Sequence, residues 1–241
     1  MDTIISNDGS LTAFNEEFKE CYHSLKDGAY TETLYKHVLP PIEYTHLFKQ
    51  QHLRILDICF GLGYNCFATI AQYLKMSYEG NLQIFSPEKD EDIFKKILSL
   101  KYPDALCGIQ IPKIIKQLQS KRQAFIGSNI KLEIFLGDAR EYLENFKPAS
   151  IDIVYQDAFS PKTNPELWNE TYFKQLFKLT HGQSLITTYS VNATIRHCAR
   201  NVGFLVYEYK NPYTRKSTLL SKKPLIENEN IKLWKNNSTY A

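Results

Sequence analysis

The segment Leu53-Arg54-Ile55-Leu56-Asp57-Ile58-Cys59-Phe60-Gly61-Leu62-Gly63-Tyr64-Asn65 runs from an apolar, β-branched stretch through a glycine turn into a helical pattern. A strand buried on both faces of a parallel sheet reads as such an apolar run, and a glycine turn at its carboxyl end lets a ligand approach the backbone closely. The turn carries Gly61 and Gly63, but Asn65 and Cys66 stand where a third glycine would complete G-x-G-x-x-G. A dinucleotide site is disfavoured accordingly. On this segment alone, a tight strand-to-helix turn without any ligand stays open.

Downstream, short apolar runs alternate with longer helical patterns, the signature of βαβ units. Strands are expected at Leu53–Ile58, Leu82–Phe85, Lys131–Phe135, Ile151–Gln156, Ser184–Tyr189, Phe204–Tyr209 and Ser217–Leu220. Helices are expected at Asn65–Lys75, Asp90–Lys101, Ile111–Gln119, Ala139–Asn145, Pro165–Leu179 and Asn192–Asn201. Only Lys210 to Lys216 separate the last two strands, too short a link for a helical crossover, so they are expected to pair antiparallel. The fold class is therefore α/β: a Rossmann-like, doubly wound, mostly parallel seven-stranded sheet with a C-terminal antiparallel hairpin. Pro40-Pro41 divides an aromatic and charged N-terminal extension, residues 1–50, from the main domain, residues 51–241. The extension is expected to be ordered and laid over the sheet.

Composition narrows the function. Hydrophobic residues make up 43% and charged residues 23% of 241, which excludes disordered, collagen-like and coiled-coil chains. Neither a signal peptide nor an apolar run of spanning length is seen, so no membrane partner and a cytoplasmic location are expected. Five cysteines without a C-x-x-C pair and six histidines without ligand spacing give no support for a disulfide framework or a metal site. Net charge is only +3, but its distribution is uneven. Five basic residues lie between Ala105 and Leu132 with no acid, and seven lie between Arg196 and Lys223 with one, Glu208. Such clusters suit RNA phosphates and equally suit a solvated face.

The carboxyl ends of the expected strands carry the chemistry. Glu88, with Lys89 beside it, is placed to accept hydrogen bonds from a ribose diol, or else to begin an acidic helix start. Gly137-Asp138-Ala139 follows the third strand, where Asp138 caps the next helix and is in reach of an adenine amino group if the site exists. The most distinctive stretch is Asp157-Ala158-Phe159-Ser160-Pro161-Lys162, continuing through Asn164-Pro165 to Trp168. Its carboxylate and aromatics sit beside the glycine turn, although a loop cap and core packing are the ordinary fates of such residues.

These motifs resemble the methyltransferase domain of the bifunctional MnmC tRNA-modification proteins and their stand-alone relatives. Tyr22-His23-Ser24, Gly28, Glu32-Thr33 and Tyr35 resemble Y-F-S…G…E-T-x-Y, and Phe60-Gly61-Leu62-Gly63-Tyr64-Asn65 resembles F-G-T-G-L-N. Asp157 to Trp168 resembles D-G-F-A-P-x-x-N-P-x-x-W, Thr188-Tyr189-Ser190 resembles T-F-T/S, and Gly203-Phe204 with Arg215-Lys216 resembles the closing hairpin. The resemblance spans about Ala13 to Leu220. Cys59 stands where a glycine is usual and Asp57 where a glutamate is, which implies a somewhat different hold on the cofactor's methionine end.

The resemblance implies S-adenosylmethionine as cofactor, held by Ser24, Glu32, Thr33, Asp57, Phe60, Gly61, Gly63, Asn65, Glu88, Lys89, Gly137, Asp138, Ala139 and Asp157. It implies N-methylation of 5-aminomethyl-(2-thio)uridine at the tRNA wobble position, with Asp157 as the catalytic residue that hydrogen-bonds the amine, either as a base taking its proton or as an orienting acceptor. Phe159, Trp168 and Tyr189 would stack on the base, and Arg215 and Lys216 would meet the tRNA. The flavin-bearing oxidase half has no counterpart in these residues, so the amine would be made elsewhere. Competing readings are a methyltransferase or aminopropyltransferase acting on a small amine, and a tRNA-binding module with a degenerate pocket.

Overall fold

The structure, a computed structural model, describes residues 2–235. The N-terminal segment forms a small antiparallel sheet of β1 (Thr3–Ile5), β2 (Leu11–Asn15) and β3 (Glu20–Cys21), then α1 (Ala29–Thr33), a π-helical turn over Leu34–Val38 and α2 (Leu39–Tyr44). The main sheet follows with β4 (His52–Ile58), α3 (Tyr64–Lys75), β5 (Asn81–Glu88), α4 (Ile93–Leu98), α5 (Ile111–Lys121), β6 (Gln123–Ile126), β7 (Ile130–Leu136) and α6 (Ala139–Leu143). It is completed by β8 (Ile151–Gln156), α7 (Glu170–Leu179), β9 (Thr180–Thr188), α8 (Ala193–Val202), β10 (Leu205–Tyr209), β11 (Ser217–Ser221) and β12 (Ile231–Leu233).

The strand order is β12-β10-β11-β9-β8-β4-β5-β7-β6. The central five, β9, β8, β4, β5 and β7, are parallel, which requires helices on both faces. Alternation along β4 meets that requirement. Leu53 and Ile55 enter the layer shared with α3, α4, α5 and the N-terminal segment, while Leu56 and Ile58 enter the layer under α6, α7 and α8. Each is fully buried, worth about 2 kcal/mol per side chain relative to exposure.

The chain leaves β4 towards β5 and β7 on one side and returns to β8 on the other. Neighbouring strands therefore diverge at the carboxyl ends of β4 and β8, where open α/β sheets bind ligands. The expected hairpin is present, with Leu205–Tyr209 antiparallel to Ser217–Ser221, and β11 is the member that pairs with β9.

The sheet has nine strands where seven were expected. The added ones are short edge strands: β6 has four residues and pairs antiparallel with β7, and β12 has three and pairs with β10. Such brief runs carry too little alternation to register as strands. Two helices also start later than expected. Asp90 accepts from the Asp92 backbone N–H at 2.9 Å and closes a turn, so α4 begins only at Ile93. Pro165–Leu167 is one 3-10 turn, and α7 starts after Asn169, whose side chain caps Tyr172 N–H at 3.0 Å.

Candidate active site

The turn after β4 has three residues at positive φ: Cys59 at 71°, Gly61 at 52° and Gly63 at 75°. Gly63 opens α3, and a Cβ there would lie 2.5 Å from the Phe67 ring, so only glycine fits. The Phe60 N–H donates to Pro87 O at 3.0 Å and the Gly61 N–H donates to Glu88 Oε2 at 2.7 Å, tying the turn to the end of β5. Above it lies a cavity of about 520 Å³, within the ~300–1,000 Å³ usual for ligand sites.

Fourteen of the residues expected at the site line this cavity. They are Ser24, Glu32, Phe60, Gly61, Asn65, Glu88, Lys89, Gly137, Asp138, Ala139, Asp157, Phe159, Tyr189 and Arg215. Glu88 spends one oxygen on Gly61 N–H and the other on Asp90 N–H at 2.8 Å, and burial pushes its carboxyl up. A carboxylate has ~four acceptor positions, so lone pairs remain for a diol. Asp138 caps α6 through Arg140 N–H at 2.8 Å and is gripped by the Arg140 guanidinium at 3.0 and 2.8 Å. That grip outweighs burial and holds its carboxyl down to about 2. Lys89 approaches the same carboxylate at 3.6 Å.

Five expected residues lie elsewhere. Asp57 is fully buried beneath the turn, where Asn65 donates to it at 3.1 Å and the Cys66 thiol at 3.1 Å, and burial pushes its carboxyl up to about 7. It supports Asn65 from behind and does not line the cavity. Thr33 is buried within α1, and Gly63 serves the turn itself. Trp168, expected to stack on a base, is 2% exposed and donates its Nε1–H to Phe159 O at 2.7 Å, pinning the Asp157–Ser160 loop from inside the core. Lys216 faces outward and pairs with Glu208 at 2.6 Å.

Asp157 is held from two sides. Asn65 donates to Oδ2 at 2.8 Å, and His37 Nε2 lies 3.4 Å from Oδ1. Burial works against the charge, but the neighbouring His37, His23 and Asn65 win and hold the carboxyl below its usual range. Phe159 stacks on Phe18 at 4.8 Å and meets Tyr22 at 5.4 Å, giving the cavity an aromatic wall. The Tyr189 hydroxyl donates to Ala158 O at 3.0 Å. The Glu20 carboxylate on β3 accepts from Ser160 N–H at 3.0 Å and Thr163 Oγ1 at 2.7 Å, fastening this loop to the N-terminal segment.

Several of these residues carry little signal in the sequence. His37 is fully buried, yet sits in the N-terminal segment 120 positions from Asp157. Its nearest signal is Tyr35, in the E-T-x-Y element. Tyr22 belongs to a motif without an expected role, and Phe18 and Glu20 have no signal. Among the described residues there is no group of three or more potential metal ligands, and no helix is long and apolar enough to cross a membrane.

A glycine turn after the first parallel strand, a carboxylate closing the second and a cavity at the switch point fit the arrangement of class I S-adenosylmethionine-dependent methyltransferases. The residues fit that cofactor: Gly61 lines the cavity without a side chain, in a space under the Tyr22 ring that a Cβ would crowd at 3.3 Å, and Glu88 faces the cavity with acceptor capacity to spare. Comparison with known proteins agrees. The profile of a family described as S-adenosyl-L-methionine-dependent methyltransferase matches residues 107–224.

The chain is 26% identical over 242 residues to the tRNA 5-methylaminomethyl-2-thiouridine biosynthesis bifunctional protein MnmC of Leptospira borgpetersenii. That match covers 91% of this chain and 34% of the relative, so the chain spans about a third of the bifunctional protein's length. It is 27% identical to an uncharacterized protein of Methanocaldococcus jannaschii, covering 91% of this chain and 59% of that one. The crystal structure of MNMC2 from Aquifex aeolicus superimposes with a TM-score of 0.79 at 28% identity, over 95% of this chain and 72% of that one. The spermidine synthase of Thermotoga maritima, with a TM-score of 0.53 at 14% identity over 92% of this chain and 72% of that one, shares the fold. Over residues 107–224 the chain matches that S-adenosylmethionine-dependent methyltransferase family, and along most of its length it is similar to MnmC proteins in sequence and fold.

Proposed function

We propose that the chain methylates the primary amine of 5-aminomethyl-(2-thio)uridine at the tRNA wobble position, giving 5-methylaminomethyl-(2-thio)uridine. The observation that carries this reading is Asp157: a carboxylate in the cavity wall, 2.8 Å from Asn65 of the helix that follows the glycine turn and flanked by the Phe159 aromatic wall. An amine needs a hydrogen-bond acceptor to orient it, and a nucleobase needs a flat apolar surface.

S-adenosylmethionine, when bound, supplies an electrophilic methyl whose carbon takes the nitrogen lone pair as the C–S pair returns to sulfur. Glu88 would hold its ribose, the backbone at Gly61 and the Asp138–Ala139 corner would flank its adenosine, and Asn65 would face its amino acid end. The chain's own work is orientation. Asp157 accepts an N–H of the incoming amine and so fixes where the lone pair points, which is worth most when the bound geometry is near the attack geometry. Because Asn65 and His37 stabilise the carboxylate, Asp157 is a weak base and acts chiefly as an oriented acceptor. The proton that the alkylammonium must lose before attack passes to solvent.

The test is incubation with labelled S-adenosylmethionine and bulk tRNA from cells lacking this methylation, followed by nucleoside analysis. Label in 5-methylaminomethyl-(2-thio)uridine supports the reading. Folded protein that binds S-adenosylmethionine but labels no nucleoside of aminomethylated tRNA overturns it.

A further inference from the structure

His37 is a second protein group brought against Asp157 whose purpose the fold alone does not explain. Its side chain is fully buried, Nδ1 lies 2.8 Å from Thr187 Oγ1 on β9, and Nε2 makes no hydrogen bond but faces Asp157 Oδ1 at 3.4 Å. A buried imidazole nitrogen left without a partner is costly, so a pair drawn together when the site is filled satisfies both groups. The π-helical turn Leu34–Val38 supplies the placement: it packs against α3 and β9 and carries His37 to the carboxyl end of the sheet. Such single-turn π segments in other proteins are frequent at functional sites.

We propose that His37 is a positioning residue for methyl transfer: it donates Nε2–H to Asp157 Oδ1, is itself fixed by the Thr187 hydroxyl donating to Nδ1, and thereby keeps Asp157 ionised and aimed at the amine. Asn65 performs the matching task on Oδ2, so the remaining lone pairs of the carboxylate point into the cavity. The inference rests on the reading that Asp157 faces the substrate amine. His37 touches neither the cavity nor the reacting atoms, as it is not among the residues lining that space.

The charged and titratable groups around the pair come from every element packed on it. They are His23 after β3, Glu32 of α1, Lys36 of the π turn, Asp57 of β4, Cys59 of the glycine turn, Cys66 of α3, Tyr155 of β8 and Tyr189 beyond β9. His23 is discharged more readily because burial disfavours its cation, and Lys36 is committed to Asp27 and Glu32 at 2.7 and 2.8 Å. Those contacts leave His37 as the donor placed on Oδ1.

The experiment compares wild type, His37→Leu, His37→Gln and Thr187→Val. Two readouts are used: the pH dependence of kcat and kcat/KM on aminomethylated tRNA, and the carboxyl 13C titration of Asp157 in the cofactor-free protein. Leu removes the donor and Gln keeps one. In His37→Leu, kcat is expected to fall about tenfold and the Asp157 titration, with the acid limb of kcat/KM, to move up by about one pH unit, the effect of removing one charge-assisted hydrogen bond. KM for S-adenosylmethionine stays within about twofold, as a uniform structural loss would not leave it.

His37→Gln recovers most of both effects, and Thr187→Val, which loosens the ring without removing it, shows a smaller shift in the same direction. Should His37→Leu fail to fold, the Gln and Val variants carry the test. Coincident titrations in all four proteins overturn the assignment. An acid limb that Asp57→Asn removes and His37→Leu leaves in place also overturns it. If wild type methylates no tRNA, the substrate reading fails, while the carboxyl titration still decides whether His37 holds Asp157.

Discussion

Cys59 adopts a φ of 71°, in the left-handed region that favours glycine, at the point where the backbone leaves β4 for the cofactor turn. A non-glycine residue there costs about 1 kcal/mol, yet replacing it with glycine returns roughly 0.5–1 kcal/mol to the unfolded chain as entropy. The two nearly cancel, so Cys59→Gly is expected to shift stability by no more than about 0.5 kcal/mol, read as the urea midpoint at constant slope. A larger gain would mean that the turn stores strain. Burial raises the Cys59 thiol well above its usual range, so it is expected to react slowly with alkylating reagents. Glu88 makes the opposite case, a residue whose loss should be felt in binding. Its carboxylate anchors Gly61 N–H at 2.7 Å, so Glu88→Gln should weaken S-adenosylhomocysteine binding about tenfold, about 1.4 kcal/mol by calorimetry. Unchanged affinity would remove Glu88 from the cofactor site.

The N-terminal segment is clamped to the β10–β11 hairpin by a cluster of four charges that sums to zero. Lys36, 2% exposed, pairs with Asp27 and Glu32, and Arg215 pairs with Asp27 at 3.1 Å while donating to Ser24 Oγ at 2.7 Å. Removing one member strands a buried charge, so Lys36→Met should cost about 3–5 kcal/mol in chemical denaturation. Burial pushes the Asp27 carboxyl up, but Arg215 and Lys36 pull harder and hold it below its usual range. Its folded value is thus below its unfolded value, so its contribution is complete above about pH 4 and is lost as pH falls through the folded value. Denaturation midpoints followed from about pH 5 to pH 3 should decline less steeply in Asp27→Asn than in wild type. A parallel decline would show that other carboxylates govern acid unfolding.

This clamp also marks where sequence reading stopped. The five parallel strands were legible because burial on both faces gives continuous apolar runs, and the cavity-lining positions of Asp157 and Glu88 were legible because both stand at strand ends beside a switch point. Asp57 and Trp168 were misplaced because an apolar run or a motif does not say which face a residue turns to. His37, Phe18 and Glu20 were missed because their partners lie on strands and loops more than a hundred residues away. Local periodicity carries nothing about which segment closes over a cavity.

The whole molecule presents its basic residues unequally, and that bears on the proposed contact with tRNA. Of the cluster from Arg196 to Lys223, Arg196 is buried against Thr218 and Ser217, Arg215 is committed to Asp27, Lys216 to Glu208, and Lys222 lies over the Phe177 ring at 4.0 Å. Lys210 and Lys216 line a second, shallower cleft that shares Tyr189 and Arg215 with the main cavity, which places them beside the entrance an extruded nucleotide would use. Lys113, Lys116 and Lys121 are exposed on α5, next to the edge strand β6, and share no wall with either space. If both clusters met phosphates equally, charge removal at either would lower the salt slope alike. Proximity argues otherwise. Lys210→Gln with Lys216→Gln is expected to reduce the slope of log affinity for tRNA against log salt by about 1.4 to 1.8, at roughly 0.7–0.9 for each phosphate no longer neutralised. The triple Gln variant at Lys113, Lys116 and Lys121 is expected to change it by less than about 1. Both are read from filter-binding titrations between about 50 and 200 mM salt, over which such slopes are well resolved. An equal or reversed ranking would move the RNA path to the α5 edge of the sheet, and a wild-type affinity flat in salt would remove phosphate binding from both clusters.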